Sequence, residues 1–263
     1  MLTYGFMQKA LLVGMIIGVV GPLIGNFVVL RKMSVIGDGL SHVALSGVAL
    51  SFVLGISPAI GAIVMALIAA WFLQKMRDKY EKQEEIAMAI LMSGGIALAL
   101  VLLGFSKGNS SSLTSYLFGS INSIDIKDVY MVILLAICIV IFVKRYFYQL
   151  FHISFDEESA KVAGIEVDYL NKLFVFMIAF CVVTAMRITG VLLISALMVI
   201  PVAAAFNIAR NFKEAVITSI MFGEISVVLG ITTSYYFDLP PGGSIVLIGI
   251  GIMGITFLKK GSR

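Results

Sequence analysis

Residues 86–104 read IAMAILMSGGIALALVLLG, a run of nineteen positions without a charged side chain. An α-helix rises about 1.5 Å per residue, so about 20 apolar residues cross a hydrocarbon layer roughly 30 Å thick. A run of this length and composition is therefore typical of a membrane-spanning helix. Similar runs recur along the rest of the chain, which indicates that the protein crosses a membrane several times.

The composition supports the same conclusion. Of the 263 residues, 60% are hydrophobic and 13% are charged, and the mean hydropathy is +1.06. Soluble domains have about 45–50% apolar and about 25% charged residues. The apolar excess is too large for one buried core, and the recurring spans leave no stretch for a separate soluble domain. We therefore predict one transmembrane domain over residues 1–263, built as an all-α polytopic helical bundle.

Nine apolar segments are candidate spans: 10–30, 33–56, 58–74, 86–104, 129–149, 173–187, 189–208, 215–237 and 243–258. The boundary between the sixth and the seventh rests on Arg187, Thr189 and Gly190. The count is therefore nine, or eight if one of these two segments is re-entrant or merged with the other. Residues 105–128 form a polar loop with room for a short re-entrant stretch. Residues 155–165, FDEESAKVAGI, are predicted to be helical, with Gly164 near the helix end.

Lysine and arginine set the predicted orientation, because they concentrate in cytoplasmic loops of membrane proteins. With the 74–85 loop inside and the sides alternating, most basic residues fall inside. The inside residues are Arg31, Lys32, Lys75, Arg77, Lys79, Lys82, Lys144, Arg145, Lys161, Lys172, Arg210, Lys213, Lys259, Lys260 and Arg263; the outside residues are Lys9, Lys107, Lys127 and Arg187. This bias predicts a multi-pass protein of the cell membrane with an external N-terminus and a cytoplasmic C-terminus. The lysines and arginines of these loops also explain the net charge of +4, so this charge does not indicate binding to nucleic acid.

The most informative polar segment is RKMSVIGDGLSHVALSGVAL (31–50). Ionisable groups at membrane depth cost about 2.5–3.5 kcal/mol each and are functional by default. With a helix that begins near Met33, Asp38 lies about 8 Å and His42 about 14 Å into the span. Their i, i+4 spacing places both on one helix face. Imidazole is a suitable ligand for zinc, and a carboxylate also makes manganese and iron possible as the bound ion.

The alternative is a structural pair, in which Asp38 and His42 satisfy each other or a neighbouring helix. Small residues surround the pair, and they permit either close helix packing or a polar passage. These residues are Ser34, Gly37, Gly39, Ser41, Ser46 and Gly47.

Glu224 is a third candidate, about 13 Å into the eighth predicted span. It is either a further metal ligand or a group that balances charge. The alternative is a carboxylate hydrogen-bonded to serines or paired with a basic residue. The sequence favours this alternative slightly, because no second ligand accompanies Glu224.

Two missing motifs argue against an enzyme. The sequence contains no G-x-x-x-x-G-K-[ST] phosphate loop, so ATP binding in the usual way is not expected. It contains no H-E-x-x-H, which argues against an intramembrane zinc protease. With two histidines in the chain, a multi-histidine catalytic centre cannot be built.

Four segments in order resemble the permeases of ABC importers for zinc, manganese and iron. They are RKMSVIGDGLSHVALSG (31–47), SFDEESAKVAGI (154–165), GVLLISALMVIPVAAA (190–205) and DLPPGGSIVL (238–247). The resemblance covers nearly the whole chain, and it implies a fold of the type II ABC importer kind. It also implies a permease homodimer with the translocation path at its axis, two cytoplasmic ABC ATPase subunits and an external metal-binding protein.

The resemblance also implies roles for individual residues. Asp38 and His42 would form the metal site in the membrane, with no permanently bound cofactor beyond the transported zinc, manganese or iron. The segment after Pro201 would couple to the ATPase, and its residues are Asn207, Arg210, Asn211, Phe212 and Lys213. Transport would proceed by alternating access, driven by ATP hydrolysis on the partner subunit. The motifs do not specify which metal is carried.

Two other transporters are alternatives. A permease for cobalamin or iron-siderophore would need a wide cavity rather than a ligand pair, so Asp38 and His42 argue against it. A secondary metal-ion transporter would work without an ATPase and usually has an internal repeat with interrupted helices. Neither half of this sequence shows such a repeat clearly. An intramembrane enzyme is the weakest alternative.

Overall fold

The structure is a computed structural model that describes residues 4–79, 84–105, 115–121 and 124–261. Every regular element within these ranges is a helix. The helices are α1 (Gly5–Leu30), α2 (Ile36–Leu54), α3 (Pro58–Lys79), α4 (Glu84–Phe105), α5 (Ile126–Phe155), α6 (Glu157–Val162), α7 (Val167–Thr189), α8 (Ile194–Phe206), α9 (Phe212–Phe237) and α10 (Pro241–Gly261). A 3-10 turn (Val191–Leu193) precedes α8. The prediction of an all-α bundle is confirmed.

Eight of the described helices are long and apolar enough to cross a membrane: α1 to α5, α7, α9 and α10. The seventh predicted segment becomes the shorter apolar stretch Val191–Phe206. The predicted count of eight or nine spans is therefore resolved as eight long helices and one short one. Gly190 makes the division between α7 and α8, because its φ of 73° lies in the left-handed region that other residues avoid.

The short stretch nevertheless runs from one end of the bundle to the other. At its beginning, the backbone of Gly190 touches the backbone around Gly119. Beyond its end, the side-chain amide of Asn207 donates to Thr256 near the end of α10, at 3.4 Å. We name the two ends of the bundle by residues that lie there, the Asp238 end and the Arg31 end.

The two predicted loop features lie at opposite ends. Of the polar loop 105–128, the described part 115–121 begins with a helical turn and continues through Gly119, whose φ is 78°. Serines 110–112 lie outside the described residues. At the Arg31 end, Asp156 caps α6 by accepting from the backbone N–H groups of Glu158 and Ser159. Gly164, with φ 80°, follows this helix and confirms the predicted helix end.

Glycine contacts hold α2 tightly between α3 and α4. A Cβ atom on Gly95 of α4 would lie 2.7 Å from the backbone carbon of His42. On the other side of α2, the backbones of Gly47 and Gly61 approach so closely that neither residue has room for a side chain. Small residues allow this close approach of membrane helices. Gly47, one of the small residues of α2, therefore serves helix packing, one of the two roles expected for these residues.

Candidate functional site within the bundle

Helix α2 carries the Asp38–His42 pair. The helix begins at Ile36, so the expectation of a start near Met33 is wrong. Residues 31–35 form a turn in which Met33 N–H donates to Val28 at the end of α1. Asp38 consequently lies in the first turn of α2, and His42 follows one turn, about 6 Å, later. The predicted common helix face is retained, because both residues lie within the same continuous helix.

Tertiary contacts nevertheless place this pair deep inside the bundle. His42 lies opposite Gly95, which is the twelfth of the 22 residues of α4 and therefore at the middle of that helix. Gly37 lies beside Met198 of α8, and Met198 in turn contacts Gly25 of α1. Gly25 precedes the end of α1 by five residues, which corresponds to about 8 Å. Asp38 therefore lies beside α8 at about the level of Gly25 of α1, although α2 begins later than expected.

The Asp38 carboxylate is half-buried and has a specific hydrogen-bond donor. Ser195 Oγ of α8 donates to Asp38 Oδ1 at 2.5 Å, across 157 residues of sequence. The backbone carbonyl of Asp38 accepts separately from Ser41 Oγ at 2.8 Å. Sequence reasoning missed Ser195, although this residue lies within the segment 190–205 that resembles the family.

His42 is buried, with a relative exposure of 9%. Its Nδ1 atom has no hydrogen-bond partner among the described residues. Buried polar atoms in proteins nearly always have a partner, so an exception requires an explanation. A ring nitrogen kept without a protein partner remains able to bind another group.

Glu224 lies apart from this pair. Glu224 is the thirteenth of the 26 residues of α9 and therefore lies at the middle of that helix. Its Oε1 atom lies against Gly18 at the middle of α1, and a Cβ atom built on Gly18 would be 2.8 Å from this oxygen. Oε1 is buried and has no hydrogen-bond partner among the described residues. Helix α8 contacts both α2 and α9 and stands between them. The structure therefore brings Asp38 and His42 together but leaves Glu224 outside their pair.

The candidate coupling residues lie in the turn between α8 and α9 and in the first two residues of α9, and three of them have structural partners. Asn211 caps α9 by accepting from Glu214 N–H at 2.9 Å. The Phe212 ring packs against Phe27, Phe147 and Phe151, at centroid distances of 5.4, 5.7 and 4.9 Å. The third residue is Asn207, which is half-buried and donates to α10 as described above.

The other two candidate coupling residues are exposed. Arg210 presents its side chain to the surface, while its backbone N–H donates to Glu214 Oε2 at 2.9 Å. The Lys213 ammonium lies 5.7 Å from the centroid of the Tyr148 ring. Arg210 and Lys213 are therefore the members of this turn whose charges are available to another protein.

A polar cluster at the Arg31 end was not foreseen from the sequence. Arg31 donates to Ser154 Oγ (3.1 Å) and to Asn171 Oδ1 (2.9 Å). Asn171 donates to Glu157 Oε1 (3.1 Å), and Glu157 Oε2 lies 3.6 Å from Arg77 Nη2. Burial, and to a smaller extent the nearby Arg77, lowers the pKa of Arg31 to about 10. The cluster joins the α1–α2 turn to α3, α5, α6 and α7, whose residues are far apart in sequence.

Comparisons with known proteins agree with this architecture. Residues 3–260 match the ABC 3 transport family. The manganese transport system membrane protein MntC of Listeria innocua is 31% identical over 98% of this chain and 92% of its own length. The manganese import system permease protein ScaB of Streptococcus gordonii is 34% identical over 97% of this chain and 91% of its own length.

A solved structure gives the same result for the fold. PsaBC from Streptococcus pneumoniae, in complex with Fab, contains a chain 35% identical to this one. The two superpose with a TM-score of 0.87 over 97% of this chain and 91% of that one. The match extends over the whole bundle, including the helices that carry Asp38, His42 and Ser195. The chain therefore belongs to the ABC 3 transport family, as a metal-ion ABC permease and not an enzyme.

Proposed function

We propose that this permease is the membrane-spanning subunit of an ATP-driven importer for a divalent transition metal, and that the ion passes Asp38 and His42. One observation carries the proposal: a carboxylate and an imidazole lie one turn apart on α2, with His42 opposite the middle of α4. The buried Nδ1 of His42, which has no partner among the described residues, supports a ligand role over a purely structural pair.

Manganese, zinc and iron are the candidate substrates. Imidazole suits zinc and iron, whereas carboxylate suits manganese, so the ligand pair admits all three. Two of the similar proteins are named for manganese, which makes Mn²⁺ the first ion to test. The ion is cargo and not a resident cofactor, and a transport site has to bind weakly enough to release it.

The small number of ligands supports a homodimer. Among the described residues, no group of three or more His, Cys, Asp and Glu side chains is placed to hold a metal ion. A second copy related by a two-fold axis would bring another Asp38 and His42 towards the same point, and two-fold dimers are the commonest homo-oligomers. Two chains together would thus provide four ligands to one ion.

The energy for transport would come from two separate ATPase subunits, because this sequence has no phosphate loop. We place these subunits at the Arg31 end, which the distribution of lysine and arginine assigns to the cytoplasm together with the C-terminus. An external metal-binding protein would deliver the ion at the Asp238 end. ATP binding and hydrolysis would then alternate the access of the Asp38–His42 pair between the two sides of the cell membrane.

The turn 207–211 and the first two residues of α9 form the proposed coupling element, with Arg210 and Lys213 as its exposed contacts. Phe212, Asn207 and Asn211 would hold the turn in shape through their own partners. A second surface adjoins it, because Phe155 lines the same cleft as Arg210. Phe155 is 67% exposed and Val162 of α6 is 90% exposed, so both apolar side chains are accessible to a partner. We include α6 in the docking surface for this reason.

The test of the function is metal uptake by proteoliposomes that contain the permease, the ATPase and the binding protein. We expect ATP-dependent uptake of Mn²⁺, with Zn²⁺ and Fe²⁺ as competitors, and loss of uptake in Asp38→Ala and His42→Ala. Uptake without ATP would support a secondary transporter instead. Uptake of cobalamin or iron-siderophore, with intact transport in both alanine variants, would support the other alternative.

The docking surface is tested by copurification of the ATPase. Arg210→Ala with Lys213→Ala should weaken this association, and so should Val162→Asp, since a charge would disrupt an apolar contact. Lys9→Ala, at the opposite end of the bundle, is the control. If both surface variants retain the ATPase and ATP-driven uptake, the docking proposal is wrong while the metal site stands.

A further inference from the structure

We propose that Ser195 is a positioning residue for the metal ligand Asp38 and that α8 acts on the metal site through this hydrogen bond. The inference rests on the proposed function, because it takes Asp38 to be a metal ligand. Its starting point is the 2.5 Å contact between Ser195 Oγ on α8 and Asp38 Oδ1 on α2. Among the described residues, Ser195 is the hydrogen-bond donor to the Asp38 carboxylate.

The Ser195 contact differs from those of other hydroxyls in the membrane helices. Ser46, Thr184 and Ser226 each donate to a backbone carbonyl three or four residues earlier in their own helix. Such bonds are the usual way for a serine or threonine to satisfy its hydroxyl in an apolar helix. Ser195 instead donates to a side chain of another helix, so its hydroxyl holds two helices in register.

Capping of α8 does not explain the position of this serine. The N-cap of α8 is Leu193, and no side chain provides a capping hydrogen bond there. Gly37 lies directly beside this contact, since a Cβ at that position would be at ordinary van der Waals distance, 3.6 Å, from Ser195 Cβ. The local geometry therefore directs the Ser195 hydroxyl towards the carboxylate.

A donor of this kind controls how a carboxylate binds a metal ion. The hydrogen bond fixes the orientation of the carboxylate and occupies one lone pair of Oδ1, which leaves Oδ2 for the ion. Removing a partner that orients a metal ligand typically lowers metal affinity about 10–100-fold. Ser195 and Asp38 are both half-buried, so the pair remains within reach of a transport pathway.

The position of Ser195 also links the metal site to the proposed coupling turn. Ser195 is the second residue of α8, and the last residue of α8, Phe206, is followed directly by the turn 207–211. A helix of thirteen residues is about 20 Å long, so α8, with Pro201 in its interior, connects the two places directly. A displacement of this turn by the ATPase would therefore shift the Ser195 donor relative to Asp38 and change the affinity for the ion.

The experiment compares Ser195→Ala, Ser195→Thr and Ser195→Cys in the complete transport complex. We expect Ser195→Ala to raise the Mn²⁺ concentration for half-maximal ATP-driven uptake about 10–100-fold. Ser195→Thr retains the hydroxyl and should stay within about threefold of the parent protein. Ser226→Ala, which loses only a bond within its own helix, is the matched control and should leave uptake unchanged.

Ser195→Cys provides a gain of function that a residue remote from the metal site would not show. A thiolate beside Asp38 favours softer ions, so Cd²⁺ should inhibit Mn²⁺ uptake at concentrations at least tenfold lower than in the parent. This readout also decides the question if Ser195→Ala does not assemble. Unchanged Cd²⁺ inhibition in an assembled Ser195→Cys complex would refute the proposal.

Two further outcomes separate this inference from the proposed function. If Ser195→Ala lowers only the maximal rate and leaves the half-maximal Mn²⁺ concentration unchanged, Ser195 does not position the ligand. If Asp38→Ala abolishes uptake while Ser195→Ala matches the parent, the inference fails and the metal site stands. If Asp38→Ala itself transports normally, the proposed metal site fails, and the role of Ser195 fails with it.

Discussion

Replacing Gly95 by alanine tests whether the packing of α4 against α2 sets the position of His42. A Cβ at Gly95 would lie 2.7 Å from both the carbonyl carbon of His42 and the backbone nitrogen of Val43. Ordinary van der Waals contact begins at 3.4 Å, so the shortfall is 3.4 − 2.7 = 0.7 Å. Because the opposing atoms are backbone, no side chain can rotate away, and α4 has to move off α2 by about this distance.

The neighbouring glycine is a matched control. A Cβ at Gly94 would meet nothing within 4 Å. Both substitutions gain the same helix propensity, up to about 1 kcal/mol, since both glycines lie in the middle of α4. The difference between Gly94→Ala and Gly95→Ala therefore isolates the steric effect. Overpacking of this kind costs about 1–3 kcal/mol.

Two assays follow the two consequences. Unfolding in detergent should show Gly95→Ala to be less stable than Gly94→Ala by about 1–3 kcal/mol. Metal uptake should need about tenfold more Mn²⁺ in Gly95→Ala, because the displacement shifts a proposed ligand relative to its partners. Equal stability and equal uptake in the two variants would show that the contact does not set the position of His42. Lower stability with normal uptake would show that His42 tolerates the shift.

Three further predictions concern the Arg31 end of the bundle. Arg31→Ala removes the donor to Ser154 and Asn171 and should lower the free energy of unfolding, measured by chemical denaturation, by about 1.5–3 kcal/mol. Lys161→Ala is the control, because it loses only an exposed ion pair of 4.0 Å, and it should change stability by less than about 0.5 kcal/mol. Phe212→Ala removes a ring that packs against three others and should cost about 3–5 kcal/mol in the same assay. Phe212→Leu should retain most of the stability. Equal stability of Phe212→Ala and the parent protein would contradict the packing. Asn211→Ala removes the cap of α9 and should cost about 1 kcal/mol, and Asn211→Ser should restore most of it, so failure of this rescue would argue against capping.

The spans could be predicted from the sequence because long uncharged runs have few alternatives to a membrane helix. The boundary between α7 and α8 was less secure, because its physical cause is the backbone conformation of Gly190, which composition does not reveal. The later start of α2 has a similar cause, since residues 31–35 are used to turn the chain back after α1. Local sequence thus identified these helices but not the two turns, at Gly190 and at residues 31–35, that limit them.

The candidate site could be predicted only as far as local spacing determines it. Asp38 and His42 share a helix face because they are four residues apart on one helix. Ser195 and Asp38 are 157 residues apart, and no periodicity in a single sequence relates them. Phe212 is assigned to the coupling element by resemblance to the family, whereas its packing against Phe27, Phe147 and Phe151 could not be predicted, because these rings approach it only in the folded bundle.

The polar atoms at the centre of the bundle differ in how firmly they are held, and this difference bears on transport. Asp38 is fixed by a donor on another helix, whereas Nδ1 of His42 has no partner among the described residues. A pair in which every atom was already satisfied by protein would have to break hydrogen bonds before it bound an ion. A pair whose two side chains are oriented but still have free lone pairs can accept an ion at little cost and release it when one side chain moves. In the proposed mechanism the ligand that moves is Asp38, because its donor belongs to α8, the short helix that ends at the proposed coupling turn.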